Sequence, residues 1–245
     1  MLTTKRTILA ILLAGTLVAC GQGGTGPSGS LSEPSFSPTP TMALSLPAAS
    51  PDSSSPDGWQ RIVIADQGFS VSVPDSWQAL SADALAESGA LDEMLEANPD
   101  AAGPIEQARS AIMSGQLAMF AFDAAADSVA SGFAANVNAI NVGSVAGSAQ
   151  EAADAIAAEI AAQVPVTGEV VADTVTLPAG ESARIRYDWS VVNVDGDPTN
   201  VSVTQYAIIG QTSGYVLSMS AATETAADYE EIFLQIAESF VEEDA

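Results

Sequence analysis

The chemistry that this sequence offers begins at Cys20, the only thiol among its 245 residues. Leu17-Val18-Ala19 stands directly before it, after the cationic Lys5 and Arg6 and an apolar run over 8–18. A charged start, a short apolar core and small residues before a cleavage point are typical of an export signal. The apolar run is too short to cross about 30 Å of hydrocarbon. The sequence therefore predicts a signal peptide over 1–19.

The run Leu17-Val18-Ala19-Cys20 resembles a bacterial lipobox, the motif in which the cysteine thiol receives a diacylglycerol and becomes the new N-terminus. The alternative is an ordinary secretory signal with a cysteine at the cleavage point by chance. We expect the lipobox interpretation to hold. It predicts a mature chain that begins at Cys20 and is anchored by lipid to the extracytoplasmic face of the cell membrane.

The charge of the mature chain and the residue types that it lacks exclude several classes of function. Removal of Lys5 and Arg6 changes the formal net charge from −25 to −27 and leaves four Arg, no Lys and no His. Such a surface repels nucleic acid and anionic lipid headgroups. With Cys20 lipidated, no thiol remains for a disulfide, a metal site or a nucleophile, and the commonest proton shuttle is absent. We therefore expect no nucleic-acid partner, no cofactor and no catalysis.

Residues 20–58 are predicted to be a disordered tether. They contain seven Pro and ten Ser and little apolar material from which to build a core. As a coil, a segment of this length spans roughly 35 Å. The globular domain is predicted over 59–245, a length that suits one domain.

Alternation of apolar and polar residues predicts the strands. Phe69, Val71 and Val73 share one face of a strand that Pro74 ends, because proline has no N–H to donate. Further strands are predicted over 61–66, 116–123, 133–142, 168–177, 182–192, 201–209 and 215–221. The last four follow one another across short turns and must therefore be antiparallel.

Three helical regions are predicted. The first, over 81–113, is interrupted by prolines, and the second begins with a capping box at Ser148 and Glu151. The third has Thr225 as its expected N-cap and an apolar stripe of residues three or four apart. That stripe consists of Tyr229, Ile232, Phe233, Ile236 and Phe240. Because 242–244 are acidic and stand at the negative end of the helix dipole, we expect the C-terminus to fray.

Several motifs, taken in order, resemble those of PsbP-like domains. They are GFSVSVPDSW at 68–77, MFAFD at 119–123, GESAR at 180–184, QY at 205–206, GYVLS at 214–218 and the final helix at 229–240. The resemblance covers about 59–240 and implies an α+β fold: an antiparallel sheet flanked by helices, the α/β/α sandwich shared by PsbP and the Ran-binding Mog protein. It also implies an accessory or binding role and carries over no catalytic residues. The interrupted region at 81–113 and the long tether depart from the family pattern.

Four aromatic residues on predicted strands have two possible roles. Trp77, Phe120, Phe122 and Trp189 could line a ligand pocket, but aromatic side chains on alternating strands usually belong to the core. We expect the core role.

Two polar clusters are candidates for ion binding. Asn193, Asp195 and Asp197 offer oxygen ligands for a cation such as calcium, but they lack the glutamate of a calcium loop, and Asp-Gly favours a hairpin turn. Arg184 and Arg186 share a strand face and could clamp a carboxylate. Pairing with the protein's own acids is the stronger expectation.

The sequence leaves three hypotheses for the function. The first is a lipid-anchored accessory module that binds a protein partner without catalysis. The second is a lipoprotein that captures a small molecule or cation. The third, and weakest, is a carboxylate-based hydrolase, since 31 acidic residues make chance carboxylate pairs unavoidable.

Overall fold

Strands dominate the architecture. The computed structural model describes residues 56–86, 96, 102–125, 127–128, 133–192 and 198–243. The strands are β1 (Trp59–Ile64), β2 (Phe69–Pro74), β3 (Trp77–Ser81), β4 (Met119–Asp123), β5 (Asn136–Gly143), β6 (Val171–Leu177), β7 (Gly180–Val192), β8 (Pro198–Ile209), β9 (Gly214–Ala222) and β10 (Val241–Glu242). The helices are α1 (Ala82–Ala86), α2 (Ala102–Met113), α3 (Ala149–Gln163) and α4 (Ala226–Glu238).

The strands form two antiparallel sheets. The large sheet has the order β3-β4-β5-β9-β8-β7-β6, and the small sheet has the order β1-β2-β10. The first two predicted strands, β1 and β2, pair as a hairpin, and the predicted antiparallel run β6 to β9 is present. The predicted fold class, an antiparallel sheet flanked by helices, is confirmed. The separate small sheet and the edge strand β3 were not predicted.

Both faces of the large sheet are covered. One face packs against α2 and α3 and contains Ile105, Ile156 and Ile160 in its core; we call it the α2/α3 face. The other packs against α4 and β2 and contains Phe69 and Ile236; we call it the α4 face. Helix α3 lies on β6, β7 and β8, whereas α2 contacts β3. In the strand order, β4, β5 and β9 lie between β3 and the strands that α3 contacts.

The aromatic residues of the α4 face fasten the small sheet to the large one. The ring of Phe69 lies 5.3 Å from that of Tyr215 and 5.6 Å from that of Phe240, and Tyr215 and Phe240 are 5.0 Å apart. Phe69, Val71 and Val73 are all fully buried, as the alternation predicts. Gly68 precedes them with φ of 71°, a left-handed conformation in which glycine avoids a side-chain clash.

Helix α3 begins as its sequence predicts. The Ser148 hydroxyl accepts a hydrogen bond from the Glu151 backbone N–H, and the Glu151 carboxylate accepts one from the Ser148 N–H at 2.9 Å. This capping box satisfies two backbone donors that the first helical turn leaves free. The buried face of α3 is formed by Ala149, Ala153, Ile156 and Ile160.

The predicted cap of α4 is wrong. Thr225 occupies the N-cap position, but its side chain caps no backbone N–H. Its backbone adopts a helical ψ of −1° instead of an extended one, so its hydroxyl donates back to the Ala222 carbonyl at 3.3 Å. The apolar stripe is confirmed, with Phe233, Ile236 and Phe240 buried.

The predicted fraying after α4 is also wrong for the described residues. The helix ends at Glu238, so Glu242 and Glu243 do not stand on its last turn. The chain continues into β10, which pairs with β2 through Val241 and Glu242. Burial of Phe240 and the carboxylate contacts described below hold this segment, and the helix dipole has little bearing on it.

Candidate functional site

Two sets of predicted site residues lie outside the described residues. They are the lipidation residue Cys20 and the weak cation candidates Asn193, Asp195 and Asp197. Both assignments stay predictions. Within the described part of the chain, no cluster of three or more acidic side chains could hold a metal ion. No helix there has the length and apolarity to span a membrane.

Arg184 and Arg186 pair with an acid of the protein itself. The two guanidinium N–H groups of Arg184 donate to both carboxylate oxygens of Asp173, at 2.9 and 2.7 Å, and Arg186 donates at 3.4 Å. The hydrogen bond from Arg184 is the main cause that lowers the pKa of Asp173, and partial burial opposes it. The place of an external carboxylate is filled by Asp173, so the expected neutralising pair is confirmed.

The aromatic candidates belong to the core. Trp77 is buried on the α4 face, and Phe120 and Phe122 stack at 5.9 Å on the α2/α3 face. Trp189 is partly buried against the same α2/α3 core. The core interpretation is therefore confirmed, although the buried Nε1 of Trp189 has no hydrogen-bond partner in the described structure.

Glu242 is held by the turn between β8 and β9. Its carboxylate accepts hydrogen bonds from the backbone N–H of Gln211 at 2.6 Å and of Thr212 at 3.1 Å, and from the Thr212 hydroxyl at 2.7 Å. Partial burial raises the pKa of Glu242, but these hydrogen bonds outweigh it and lower the pKa overall. A side chain at Gly210 would place its Cβ 2.7 Å from the carboxylate, so the close approach needs glycine. Beside it, Glu243 pairs with Arg61.

The most unusual feature is a group of polar side chains in the middle of the α2/α3 face. One register row crosses the large sheet from β3 to β6, and its members are Leu80, Phe120, Asn138, Ser218, Gln205, Ile185 and Ala172. The three central members are polar and the outer four are apolar. In the neighbouring row, Asn136 pairs with Ser220. We call Asn136, Asn138, Gln205, Ser218 and Ser220 the polar patch.

All five residues of the polar patch are buried, and two have unused acceptors. Gln205 is 1% exposed and donates from Nε2 to the Ser218 hydroxyl at 3.1 Å, but its Oε1 has no partner. Asn138 is 3% exposed, and its Oδ1 also has no partner in the described structure. A buried polar group left without a hydrogen bond costs about 1–3 kcal/mol. Each of these two unpartnered acceptors therefore lowers the stability of the folded domain, whereas the hydrogen bond from Gln205 to Ser218 does not.

Sequence reasoning missed the polar patch, although a signal is present. Asn136-Val137-Asn138 and Ser218-Met219-Ser220 alternate in the manner of a strand with one wet face. The missing information was that β5 and β9 are central strands with both faces covered. Polar alternation on a central strand places the polar residues in the interior.

Comparisons with known proteins find likeness at the level of structure. No protein-family model and no curated protein sequence matches the chain. Among solved structures, the chain is similar to the cyanobacterial PsbP (CyanoP) of Synechocystis sp. PCC 6803, at 13% identity and a TM-score of 0.44 over 78% of this chain and 99% of that one. It is also similar to LpqN of Mycobacterium tuberculosis, described as involved in cell envelope biogenesis, at 13% identity and a TM-score of 0.40 over 76% and 85%. A third is the Ran-binding protein Mog1p of Saccharomyces cerevisiae, at 13% identity and a TM-score of 0.43 over 76% and 96%. Likeness of this extent leaves the function to be argued from the chain's own residues.

Proposed function

We propose that the protein is a lipid-anchored, extracytoplasmic binding module that performs no catalysis. The observation that carries this proposal is the polar patch, because its side chains are all neutral amides and hydroxyls. Such groups bind through hydrogen bonds, but they neither take up nor release a proton near neutral pH. Two buried acceptors of the patch, on Asn138 and Gln205, have no hydrogen-bond partner in the described structure.

The anchor is supported by the sequence. The lipobox-like run ending at Cys20 would fix the N-terminus to the membrane, and the Pro- and Ser-rich segment 21–58 would let the domain reach roughly 35 Å from it. The negative charge of the mature chain would keep the domain away from anionic headgroups. The domain would then present its surface to partners in the envelope.

The carboxylates with shifted pKa values also favour binding over hydrolysis. A general acid of a glycosidase needs a raised pKa, whereas the pKa values of Asp173 and Glu242 are both lowered. Each of these carboxylates is held by donors of the protein itself.

A protein partner is the first candidate for what is bound. On the outer face of the small sheet, Val63 and Val241 are 46% and 45% exposed and stand on either side of Ser70. The ion pair of Arg61 with Glu243 lies on the same sheet. Exposed apolar side chains beside a charge pair suit the edge of a protein interface, and a partner of positive charge would complement the acidic domain.

Capture of a small molecule is the second candidate, and the polar patch favours it. The free acceptors of Asn138 and Gln205 are buried, where a protein surface cannot reach them without rearrangement. A small ligand would satisfy them only after the elements that cover this face had moved apart. The two candidates use different surfaces of one domain.

Brief chemical cross-linking in the native membrane, followed by purification and mass spectrometry, tests the proposed function. Wild-type protein is compared with Cys20→Ala, which cannot be lipidated, and with Val63→Ser combined with Val241→Ser. A Val171→Ser variant is the matched control, because Val171 is 41% exposed at a distant edge of the large sheet. We expect one abundant partner that is recovered with wild type and the control and is lost with the other two variants.

Two outcomes would overturn parts of this proposal. Equal membrane recovery of wild type and Cys20→Ala would remove the lipid anchor. Turnover of an envelope substrate that disappears when one carboxylate is replaced would show catalysis and remove the binding-only role.

A further inference from the structure

Strand β6 ends the large sheet with an edge on which a further strand can pair. It is the last strand in the order and pairs only with β7, in an unbroken antiparallel register. Within the described part of the chain, none of the backbone hydrogen bonds outside the sheets involves a residue of β6. Alternate N–H and C=O groups of an edge strand point away from its neighbour, and they form a template for another strand.

The other edge strands of the two described sheets are shorter. Strand β3, at the opposite end of the large sheet, has five residues, and β10 of the small sheet has two. Strand β1, the second edge of the small sheet, has six residues and includes Arg61. The seven residues of β6 include no Pro and no Lys, and its register has no bulge. These are the usual devices that protect an edge from pairing, so β6 lacks most of them.

The single charge on β6 is neutralised within the domain. Asp173 accepts hydrogen bonds from both Arg184 and Arg186 on the neighbouring strand. These three side chains together have a net charge of +1, because two guanidinium groups face one carboxylate, whereas the chain as a whole has 31 acidic and 6 basic residues. Repulsion between acidic surfaces opposes contact between two copies of the protein. At this edge the repulsion is locally relieved.

The sequence of β6 favours a second copy of the same strand as its partner. The strand reads VADTVTL, with Thr174 at its centre. Antiparallel pairing of two copies about a twofold axis at Thr174 therefore matches all seven residues. It places Val171 opposite Leu177 of the second copy, and Asp173 opposite Val175, so no two charges stand directly opposite each other. A self-complementary contact of this kind closes at a dimer.

We propose that two copies of this protein associate through β6, antiparallel about Thr174, so that their large sheets join into one continuous sheet. The contact uses a surface separate from the small sheet and does not depend on the proposed binding function. A single edge strand offers less than the area of about 1,200 Å² that stable interfaces bury, so free domains should associate weakly. Two copies anchored to one membrane would meet at a higher effective concentration.

Disulfide trapping tests the pairing, because Cys20 is the only thiol of the chain. In the mature chain with Cys20→Ala, a Thr174→Cys substitution places a single thiol at the proposed axis. Opposite Cα atoms of an antiparallel pair are about 4.5 or 5.5 Å apart, and both distances suit a disulfide. Val171→Cys is the matched control. Val171 is 41% exposed, more than Thr174, but six residues, or roughly 20 Å, would separate it from its counterpart in the second copy.

Under the same mild oxidant, we expect Thr174→Cys to form disulfide-linked dimers about tenfold faster than Val171→Cys, because pairing raises the effective concentration of the thiols at the axis. Non-reducing gel electrophoresis measures both rates. Random collision would give the opposite order, since Val171 is the more exposed residue.

A mixture of two further variants checks the register. Ala172 would lie opposite Thr176 of the second copy, and roughly 13 Å would separate each residue from its own counterpart. An equimolar mixture of Ala172→Cys and Thr176→Cys, both with Cys20→Ala, should therefore give the mixed disulfide beyond its statistical excess over the self-linked dimers. Peptide mass spectrometry distinguishes the three products. This mixture also provides the test if Thr174→Cys does not fold, which its thermal unfolding shows.

Three results would overturn the inference. They are dimerisation of Val171→Cys as fast as that of Thr174→Cys, no disulfide-linked dimer from folded Thr174→Cys, and a mixed disulfide that does not exceed the statistical amount. None of these results alters the cross-linking outcome for Cys20 and the small sheet, which depends on recovery of a different protein. Failure of the dimer is thereby distinguished from failure of the proposed function.

Discussion

The two faces of the large sheet are formed by the same strands but bury different kinds of side chain. On β9, Leu217, Met219 and Ala221 point to the α4 face, whereas Ser218 and Ser220 point to the α2/α3 face. All nine residues of the strand are buried. The α4 face is packed with apolar side chains, and the α2/α3 face has amides and hydroxyls at its centre.

This difference shows what alternation means in a covered sheet. On a strand with one wet face, alternation separates the inside of the protein from water. On β9 and β5, alternation instead separates the apolar α4 face from the α2/α3 face, where two buried acceptors have no partner in the described structure. The polar patch therefore buries less apolar surface than the same strands bury on the α4 face.

The largest expected effect comes from truncating the apolar face. Leu217→Ala should lower the free energy of unfolding by about 3 kcal/mol, because it removes a fully buried side chain and leaves a cavity. Ser218→Ala, the next residue on the opposite face, should lower it by less, about 1 kcal/mol, which is the lower end of the cost of leaving the buried amide N–H of Gln205 without its acceptor. Denaturant unfolding monitored by tryptophan fluorescence measures both variants.

The comparison fails if the two variants lose similar stability. A large loss for Ser218→Ala would mean that the polar patch supports the fold as the apolar face does. Its hydrogen bond from Gln205 would then be structural, and the argument for a binding site would lose its basis.

Much of the fold could be predicted because its signals are local. The alternation at 69–73, the capping box at Ser148 and Glu151, and the stripe from Tyr229 to Phe240 each depend on neighbouring residues. The short turns of β6 to β9 fixed their antiparallel pairing. The chain after α4 could not be predicted, because β10 pairs with a strand about 170 residues earlier, between Val241 and Ser70.

The candidate site could not be predicted, for the same reason. Asn138, Ser218 and Gln205 come from three distant segments, and only the strand order places them in one row. The pairing of Arg184 with an acid of the protein was easier to predict, because β6 and β7 form a hairpin and their partners are close in sequence. Local pairs can be read from the sequence, whereas sites assembled across a sheet need its topology.

The polar contacts at the rim of the α4 side should stabilise the fold, because both partners of each contact are present, whereas the unpaired acceptors of the patch should not. Replacing Glu242 by Gln should lower the free energy of unfolding by about 1 kcal/mol, since the turn at 210–212 loses a charged acceptor. The pKa of Glu242 is below its ordinary value of 4.5 when folded. Its contribution is therefore complete above pH 4.5 and is lost as the pH falls through the folded-state pKa.

Unfolding measured at pH 7 and pH 3 tests the contribution of Glu242. The difference between wild type and Glu242→Gln should shrink at the lower pH. Glu230→Gln, at an exposed position on α4, is the matched control and should show little difference at either pH. A difference for Glu242→Gln that is independent of pH would contradict an effect of charge.

The smallest expected effect is at the arginine pair on the α4 side. Asp173→Asn should lower the free energy of unfolding by less than about 1 kcal/mol, because both partners are about one third exposed and solvent screens them. Glu106→Gln removes a single contact to Arg109 at 2.8 Å between side chains that are nearly half exposed, so its effect should be smaller still. High salt should reduce both differences, which denaturant unfolding in low and molar NaCl measures. If Asp173→Asn instead stabilised the protein, a paired polar group on the α4 side would lower stability as the unpaired acceptors of the polar patch do, and the contrast between the two faces would not hold.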